Sequence, residues 1–182
     1  MKQVPVIAVV GPSGVGKDSV MAALAARDPG FHLIRRVITR PDQAGGEVFT
    51  GVSQQDFDAK RAGGVFALSW QAHGLSYGVP MPSDEERAGA RALLVNLSRA
   101  VLLQAQGVFH PFAVLSLTAR PEVLAARLAA RGREDVADQA RRLGRADMAL
   151  PAGLRRVITI DNSGPLDDTV EAVLAHLQRE SA

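Results

Sequence analysis

The sequence predicts an α/β protein with a mostly parallel sheet, and three observations lead to this fold class. Apolar stretches of strand character alternate with stretches of helical spacing along the 182 residues, which is the pattern of successive βαβ units. The strand stretches are almost continuously apolar, as expected when helices cover both faces of a sheet. A glycine-rich turn joins the first strand to the first helix. The length fits one domain, over residues 1–182.

The first elements follow in the order strand, helix, strand. "VPVIAVV" (4–10) predicts a buried strand, and "KDSVMAALAAR" (17–27) predicts a helix that ends at "DPG" (28–30). "LIRRVIT" (33–39) then predicts a second strand.

The segment from about 39 to 90 has a different character, with more loop and hairpin. Ser53 and Asp56 have capping-box spacing, which predicts a short helix over 53–64. The alternation in 65–80 predicts extended structure with a turn at Gly74. We interpret the segment as an insertion beside the glycine-rich turn.

The second half of the chain returns to regular alternation. We expect, in order, a strand over 92–97, a helix over 98–107, a strand over 112–118, a helix over 121–132, a basic helix over 136–147, a strand over 155–160 and a helix over 165–180.

Composition excludes several classes of protein. The chain has no cysteine, which excludes a disulfide framework and a thiolate metal site. No apolar run approaches the ~20 residues that span a membrane, and no signal-peptide pattern precedes the first strand, so we expect a cytoplasmic protein. The net charge is +2, and the basic residues lack interleaved aromatics, which argues against a nucleic-acid surface. Oligomeric state has no signal in the sequence.

The glycine-rich turn has the form G-x-x-x-x-G-K from Gly11 to Lys17, between a strand and a helix. In this context the glycines turn backbone N–H groups inward as an anion nest, and the lysine reaches the terminal phosphates of a nucleotide. The helix N-terminus adds a favourable partial charge. The predicted nucleotide-binding residues are Gly11, Pro12, Ser13, Gly14, Val15, Gly16, Lys17, Asp18 and Ser19.

Asp18 stands where this motif usually has a serine or threonine that binds Mg²⁺. One interpretation is that the Asp18 carboxylate binds Mg²⁺, directly or through water, because Mg²⁺ prefers hard oxygen ligands. The other interpretation is that Asp18 is an acid of the first helical turn that complements the helix dipole, and that Ser19 or solvent is the metal ligand.

The chain resembles guanylate kinases in its loop, and more closely a related family, the ribose 1,5-bisphosphate phosphokinases of bacterial phosphonate catabolism. The resemblance covers most of the chain and is carried by "GPSGVGKDS" (11–19), "VITRP" (37–41), "GVFALSWQAHGLSYGVP" (64–80), "VNLSRAVL" (95–102) and "LTARPEVLAARLAARGRE" (117–134).

The resemblance implies a three-layer P-loop kinase fold of the nucleoside monophosphate kinase type. Its parts are a five-stranded parallel core, an acceptor-binding insertion (about 39–90) and a lid (about 131–145). It further implies the reaction of ATP with ribose 1,5-bisphosphate to give ADP and 5-phosphoribosyl 1-diphosphate, with Mg²⁺ as cofactor. Lys17 is then catalytic. A phosphate acceptor has a second pKa near ~6 and needs no general base.

On the acceptor side, guanylate kinases clamp a phosphate with arginines and a tyrosine, and Arg40 and Tyr77 fall at matching points. The segment that binds guanine in those enzymes is replaced here. Glu47, Gln71 and His73 are candidates for the ribose hydroxyls, and the alternative for each is simple packing.

Arginines of the lid meet the transferring phosphoryl group in related kinases. Arg131 and Arg142 are the predicted catalytic arginines, with Arg127 next, and the alternative is a solvated basic face. The strand over 92–97 lacks an evident magnesium-binding acid: Asn96 stands where an aspartate would hold Mg²⁺ through water, and the alternative is that Asn96, with Ser98 and Arg99, faces the acceptor.

Two other functions compete with this interpretation. One is a guanylate or other nucleoside monophosphate kinase, which the replaced base-binding segment opposes. The other is a non-catalytic guanylate kinase-like binding module, which the retained Lys17 and lid arginines oppose.

Overall fold

The computed structural model of the chain describes residues 3–41, 48–130 and 149–179. The described elements, in chain order, are β1 (Val6–Val10), α1 (Lys17–Arg27), β2 (Phe31–Leu33), β3 (Val37–Ile38), β4 (Thr50–Gly51), α2 (Gln54–Ala62), β5 (Phe66–Ala72), β6 (Leu75–Pro80), α3 (Asp84–Arg87), β7 (Ala92–Asn96), a 3₁₀ turn (Arg99–Val101), α4 (Leu102–Val108), β8 (Phe112–Thr118), α5 (Pro121–Ala130), β9 (Val157–Asp161) and α6 (Leu166–Arg179).

Five parallel strands form the core sheet in the order β2-β7-β1-β8-β9. The central strand β1 is buried along its whole length, and so is its neighbour β7. Apolar residues at every position suit strands that have packed helices on both faces. The predicted α/β fold class with a parallel core is confirmed.

Helices and a hairpin cover the two faces of the core sheet. On one face, Leu24 of α1, Leu124 of α5 and Val173 of α6 pack in one apolar cluster. On the other face, Leu102 of α4 and Leu68 of β5 pack in a second cluster. The result is three layers, with the sheet in the middle.

A second, smaller sheet has the order β4-β3-β6-β5. Its strands β5 and β6 form the predicted hairpin with a turn at Gly74. The predicted helix after Ser53 is also present, because the Ser53 hydroxyl accepts a hydrogen bond from the Asp56 N–H at 3.0 Å. Both predictions are confirmed.

The single strand predicted over 33–39 is wrong, because the structure divides it between the two sheets. β2 ends at Leu33 in the core sheet, and β3 begins at Val37 in the small sheet. Arg35 is exposed and Arg36 is buried. These two arginines separate the apolar residues of the two sheets. The sequence reasoning also missed α3, although Ser83 and Glu86 form a complete capping box.

The predicted basic helix (136–147) and the lid (131–145) lie outside the described residues. Across the ranges that the structure does describe, no helix combines the length and apolar character required to cross a membrane.

Candidate functional site

The carboxyl ends of the central core strands meet at one edge of the sheet. There Val9 of β1 lies beside Asn96 of β7, and Val10 lies beside Ser116 of β8. The glycine-rich turn follows β1 directly and leads into α1. This edge is where open α/β sheets bind their ligands.

The turn has the backbone of an anion nest. Gly14 has φ 83° and Gly16 has φ 95°, both in the left-handed region that glycine adopts without strain. Gly16 is also the N-cap of α1 and supplies no side chain to cap the first N–H groups of that helix. These N–H groups are therefore suited to bind an anion.

Lys17 curves back over the turn. Its Nζ donates to the carbonyl oxygen of Gly11 at 2.9 Å and to that of Pro12 at 3.4 Å. The ammonium group therefore lies beside the nest. Among the remaining predicted loop residues, Val15 is fully buried, whereas Ser19 is exposed on α1.

Asp18 and Asn96 are brought together from α1 and β7. The Asn96 Nδ2 donates to Asp18 Oδ1 at 3.4 Å, and Asn96 is 8% exposed. The Asp18 carboxylate is a hard oxygen donor of the kind that Mg²⁺ prefers, and the Asn96 amide N–H orients it. Within the described ranges, no group of three or more histidine, cysteine or acidic residues could hold a metal by itself.

Arg127 contacts the outside of the nest. Its guanidinium donates to the carbonyl oxygen of Val15 at 3.2 Å and to that of Asn162 at 2.8 Å. The sequence reasoning did not assign a role to Asn162. Its position directly after the last core strand, at the same edge as the nest, was the available signal.

The acceptor candidates lie on the small sheet. Tyr77 of β6 is paired with Trp70 of β5, and the two rings stack with centroids 5.2 Å apart and planes 8° apart. The buried Arg36 places its guanidinium carbon 5.2 Å from the Tyr77 ring centre and 5.9 Å from that of Trp70. Sequence reasoning missed Arg36, and the pair of arginines within the apolar run 33–39 was the available signal.

Arg40 follows β3, and its guanidinium carbon lies 4.3 Å from the centre of the Phe49 ring. Its Nε is buried and has no hydrogen-bond partner in the part of the chain that the structure describes. An unsatisfied buried donor is costly in a folded protein. This atom is therefore well suited to a ligand oxygen.

Gln71 and His73 do not lie with Tyr77. Gln71 is paired with Ser76, one position away from the Trp70–Tyr77 pair, so it faces the opposite side of the hairpin. His73 is in the turn with φ 52°. Both are exposed and line a shallow depression with Gln54. The remaining candidates, Glu47, Arg131 and Arg142, lie outside the described residues.

Burial lowers the pKa of the Arg99 guanidinium, which follows β7 at the same edge of the core sheet. An arginine pKa starts so high that the group keeps its charge at neutral pH. Lys17 and Arg99 thus add positive charge to this edge.

Comparison with known proteins assigns the family. No family model matches the chain. The curated ribose 1,5-bisphosphate phosphokinase PhnN of Ruegeria sp. (strain TM1040) is 60% identical over 178 residues, which cover 98% of this chain and 94% of that protein. The chain belongs to the PhnN family of ribose 1,5-bisphosphate phosphokinases.

Further PhnN relatives show the same full-length match. The protein of this name from Pseudomonas fluorescens (strain SBW25) is 46% identical, covering 94% of this chain and 93% of its own. The one from Agrobacterium fabrum is 43% identical, with coverages of 96% and 97%. These matches confirm the family that the sequence motifs predict, and they favour it over a guanylate kinase or a binding module.

Solved structures confirm the fold of this chain. A guanylate kinase from Anaplasma phagocytophilum superimposes with a TM-score of 0.63 at 15% identity, over 98% of this chain and 85% of that one. A gluconokinase from Sinorhizobium meliloti 1021 gives a TM-score of 0.51 at 21% identity, over 97% and 92%. At such low identities the likeness concerns the P-loop kinase fold alone.

Proposed function

We propose that this chain transfers the γ-phosphoryl group of ATP to ribose 1,5-bisphosphate and so forms 5-phosphoribosyl 1-diphosphate. The observation that carries the choice of acceptor is the 60% identity to a PhnN ribose 1,5-bisphosphate phosphokinase over nearly the whole chain. The nest, Lys17 and the arginines at the sheet edge support phosphoryl transfer as the reaction.

The nucleotide phosphates are bound by the nest. The N–H groups of the turn and of the first turn of α1 bind phosphate oxygens, and Lys17 exchanges its carbonyl contacts for the terminal phosphates. The charge that develops on transfer is then stabilised by groups that are already in position, which is the main source of catalysis in such reactions.

Asp18 is the proposed magnesium ligand, directly or through water. Its carboxylate is a hard oxygen donor, and it lies in the first turn of α1, directly after the nest. Bound there, Mg²⁺ would neutralise phosphate charge. The Asn96 amide orients the Asp18 carboxylate by its hydrogen bond.

The acceptor phosphate is held on the small sheet. Arg40 offers a planar fork of donors, including the buried Nε. The Tyr77 hydroxyl donates one further hydrogen bond, and stacking on Trp70 fixes its ring. An acceptor phosphate with a second pKa near ~6 is mostly ionised at pH 7 and attacks without a general base. We retain Glu47, Gln71 and His73 as candidates for the ribose, and Arg131 and Arg142 for the transferring group.

Phosphorus NMR tests this function, because the acceptor ribose 1,5-bisphosphate contains no diphosphate and the sugar product formed from it does. The purified chain is incubated with Mg²⁺, ATP and ribose 1,5-bisphosphate, and a parallel reaction contains GMP. With the sugar acceptor we expect two new coupled pairs of diphosphate resonances, one from ADP and one from the sugar diphosphate. ADP formation with GMP alone would move the assignment to a nucleoside monophosphate kinase, and no transfer to either acceptor would contradict the proposed activity.

A further inference from the structure

The carbonyl oxygen of Val15, in the middle of the phosphate-binding turn, accepts two side-chain hydrogen bonds from distant parts of the chain. Asn162 Nδ2 donates to it at 2.7 Å, and Arg127 Nη1 donates to it at 3.2 Å. Asn162 is 4% exposed, so its hydrogen bond is shielded from water. A shielded hydrogen bond of this kind holds its partner in one orientation.

Asn162 is itself held from three sides. Thr169 of α6, also buried, donates from its hydroxyl to Asn162 Oδ1 at 2.6 Å. The backbone N–H of Asn162 donates to the carbonyl oxygen of Thr118 at 2.7 Å, and its own carbonyl oxygen accepts from Arg127 Nη2 at 2.8 Å. Because the Thr169 hydroxyl donates to Asn162 Oδ1, the side-chain nitrogen of Asn162 is the end that faces Val15.

The orientation of the Val15 carbonyl group determines where the next N–H group points. In a planar trans peptide the carbonyl oxygen and the N–H lie on opposite sides. Drawing the Val15 oxygen outward therefore directs the N–H of Gly16 to the inside of the turn. The Asn162 amide packs closely against Gly16, since a Cβ on Gly16 would lie 2.9 Å from Asn162 Nδ2.

We infer that Thr169, Asn162 and Arg127 form a brace whose function is to position the Gly16 N–H for a nucleotide phosphate. The brace acts through the turn, so its members are positioning residues. Without it, the Val15–Gly16 peptide can rotate and present a carbonyl oxygen to the phosphate, which repels the anion. Preorganised donors bind more tightly because no ordering remains to be done on binding. The inference rests on the nucleotide site of the proposed function and deepens it.

The test uses the Thr169→Val variant, which removes the hydroxyl at nearly constant volume. Calorimetry measures the dissociation constants of Mg·ADP and of inorganic tripolyphosphate, which has phosphates and no base. We expect both affinities to fall by about three- to tenfold, the range for loss of one intramolecular hydrogen bond. Thr169→Ser keeps the hydroxyl and should restore both. Thr159→Val, at an exposed position of β9, is the matched control and should change neither.

A second variant covers the case in which Thr169→Val does not fold. Arg127→Met keeps the apolar stem of a half-buried surface side chain and removes the hydrogen bonds of Arg127 to the carbonyl oxygens of Val15 and Asn162. We expect the affinity for both ligands to fall by about two- to threefold, at the low end of what hydrogen bonds contribute, because Arg127 is less buried than Thr169.

The outcomes separate the brace from other roles. Parallel losses for ADP and tripolyphosphate support it. A loss of affinity for ADP alone would overturn the brace, because the substituted residues would then act on the nucleoside part of ADP and not on its phosphates. Unchanged affinities in folded variants with a lowered melting temperature would overturn it in favour of a purely structural role. No acceptor is present, so failure of ribose 1,5-bisphosphate as a substrate leaves this measurement intact. A wild-type chain that binds neither ligand would overturn both proposals.

Discussion

Lys17 is the residue for which the structure supports the largest effect on rate. Its ammonium already lies on the carbonyl oxygens of Gly11 and Pro12, beside the nest. We expect Lys17→Ala to lower kcat by at least ~100-fold, about 2.7 kcal/mol of transition-state stabilisation. The affinity for the acceptor should change little, because the lost interaction strengthens during transfer.

Steady-state kinetics and circular dichroism check this prediction together. Lys60→Ala is the matched control, because Lys60 is exposed on α2 and contributes the same charge. A folded Lys17→Ala variant with turnover near that of Lys60→Ala would show that the nest functions without the lysine.

Asp18 can act through Mg²⁺ or through the dipole of α1. If it binds Mg²⁺, Asp18→Asn should raise the Mg²⁺ concentration at half activity several-fold, and Asp18→Ser should restore part of the loss, because a hydroxyl is the usual ligand at this position. Asp167→Asn is the control, since Asp167 is also an acid in the first turn of a helix, here α6. An identical Mg²⁺ dependence for both asparagine variants would assign Asp18 to the dipole.

Arg40 is expected to act on the acceptor alone. Arg40 follows β3 of the small sheet, whereas the nest follows β1 of the core sheet. The Arg40 Nε is buried. Arg40→Ala should raise the KM for the acceptor by at least tenfold, as expected from losing a charge-assisted hydrogen bond of roughly 1.5–3 kcal/mol. The dissociation constant for ADP should stay the same. Arg61→Ala, an exposed arginine on α2, is the control, and an equal loss of ADP affinity in Arg40→Ala would contradict the assignment.

At the scale of elements, the sequence predicted each core strand except β2, because continuous apolar runs between helices have few other structures available. It did not predict where β2 ends, since nothing local distinguishes apolar residues that face one sheet from those that face another. The register of the β5–β6 hairpin also escaped it. That register follows from the two-residue turn at His73 and Gly74, and it separates Gln71 from Tyr77.

The same turn supplies a prediction about stability. Gly74 has φ 74° and open space around its Cα, so Gly74→Ala meets conformational strain and no clash. We expect a loss of roughly 1–2 kcal/mol in the free energy of unfolding, measured with urea. Gly107→Ala is the matched control, because Gly107 lies in open space within α4 without a positive φ. It should instead gain roughly 0.5–1 kcal/mol. A loss of equal size in both variants would contradict the argument.

At the scale of the whole molecule, the two sheets divide the proposed site between them. The core sheet carries the nest with Lys17 and Asp18, which a short local motif was sufficient to predict. The small sheet carries Arg40, Tyr77 and the buried Arg36, and their arrangement depends on pairing between segments far apart in sequence. A local motif was therefore sufficient to propose the nucleotide side of the site, whereas the acceptor side depends on pairing that the sequence alone does not show.

This division leads to a prediction about the choice of acceptor. In the proposed site, the small sheet offers the Arg40 guanidinium for an ionic contact and the Tyr77 hydroxyl for a hydrogen bond, and the Tyr77 ring is already stacked on Trp70. A site built for polar groups of one substrate discriminates strongly, because a poor fit leaves buried donors unpaired. We expect kcat/KM for ribose 1,5-bisphosphate to exceed that for GMP by ~100-fold or more, which corresponds to about 2.7 kcal/mol of differential transition-state binding. Steady-state kinetics with each acceptor varied at one saturating ATP concentration measures both values. The KM for ATP, measured separately with ATP varied, is the control and should be the same with either acceptor. Comparable efficiencies would mean that the small sheet accepts a nucleotide base, contrary to the polar acceptor site argued from Arg40 and Tyr77.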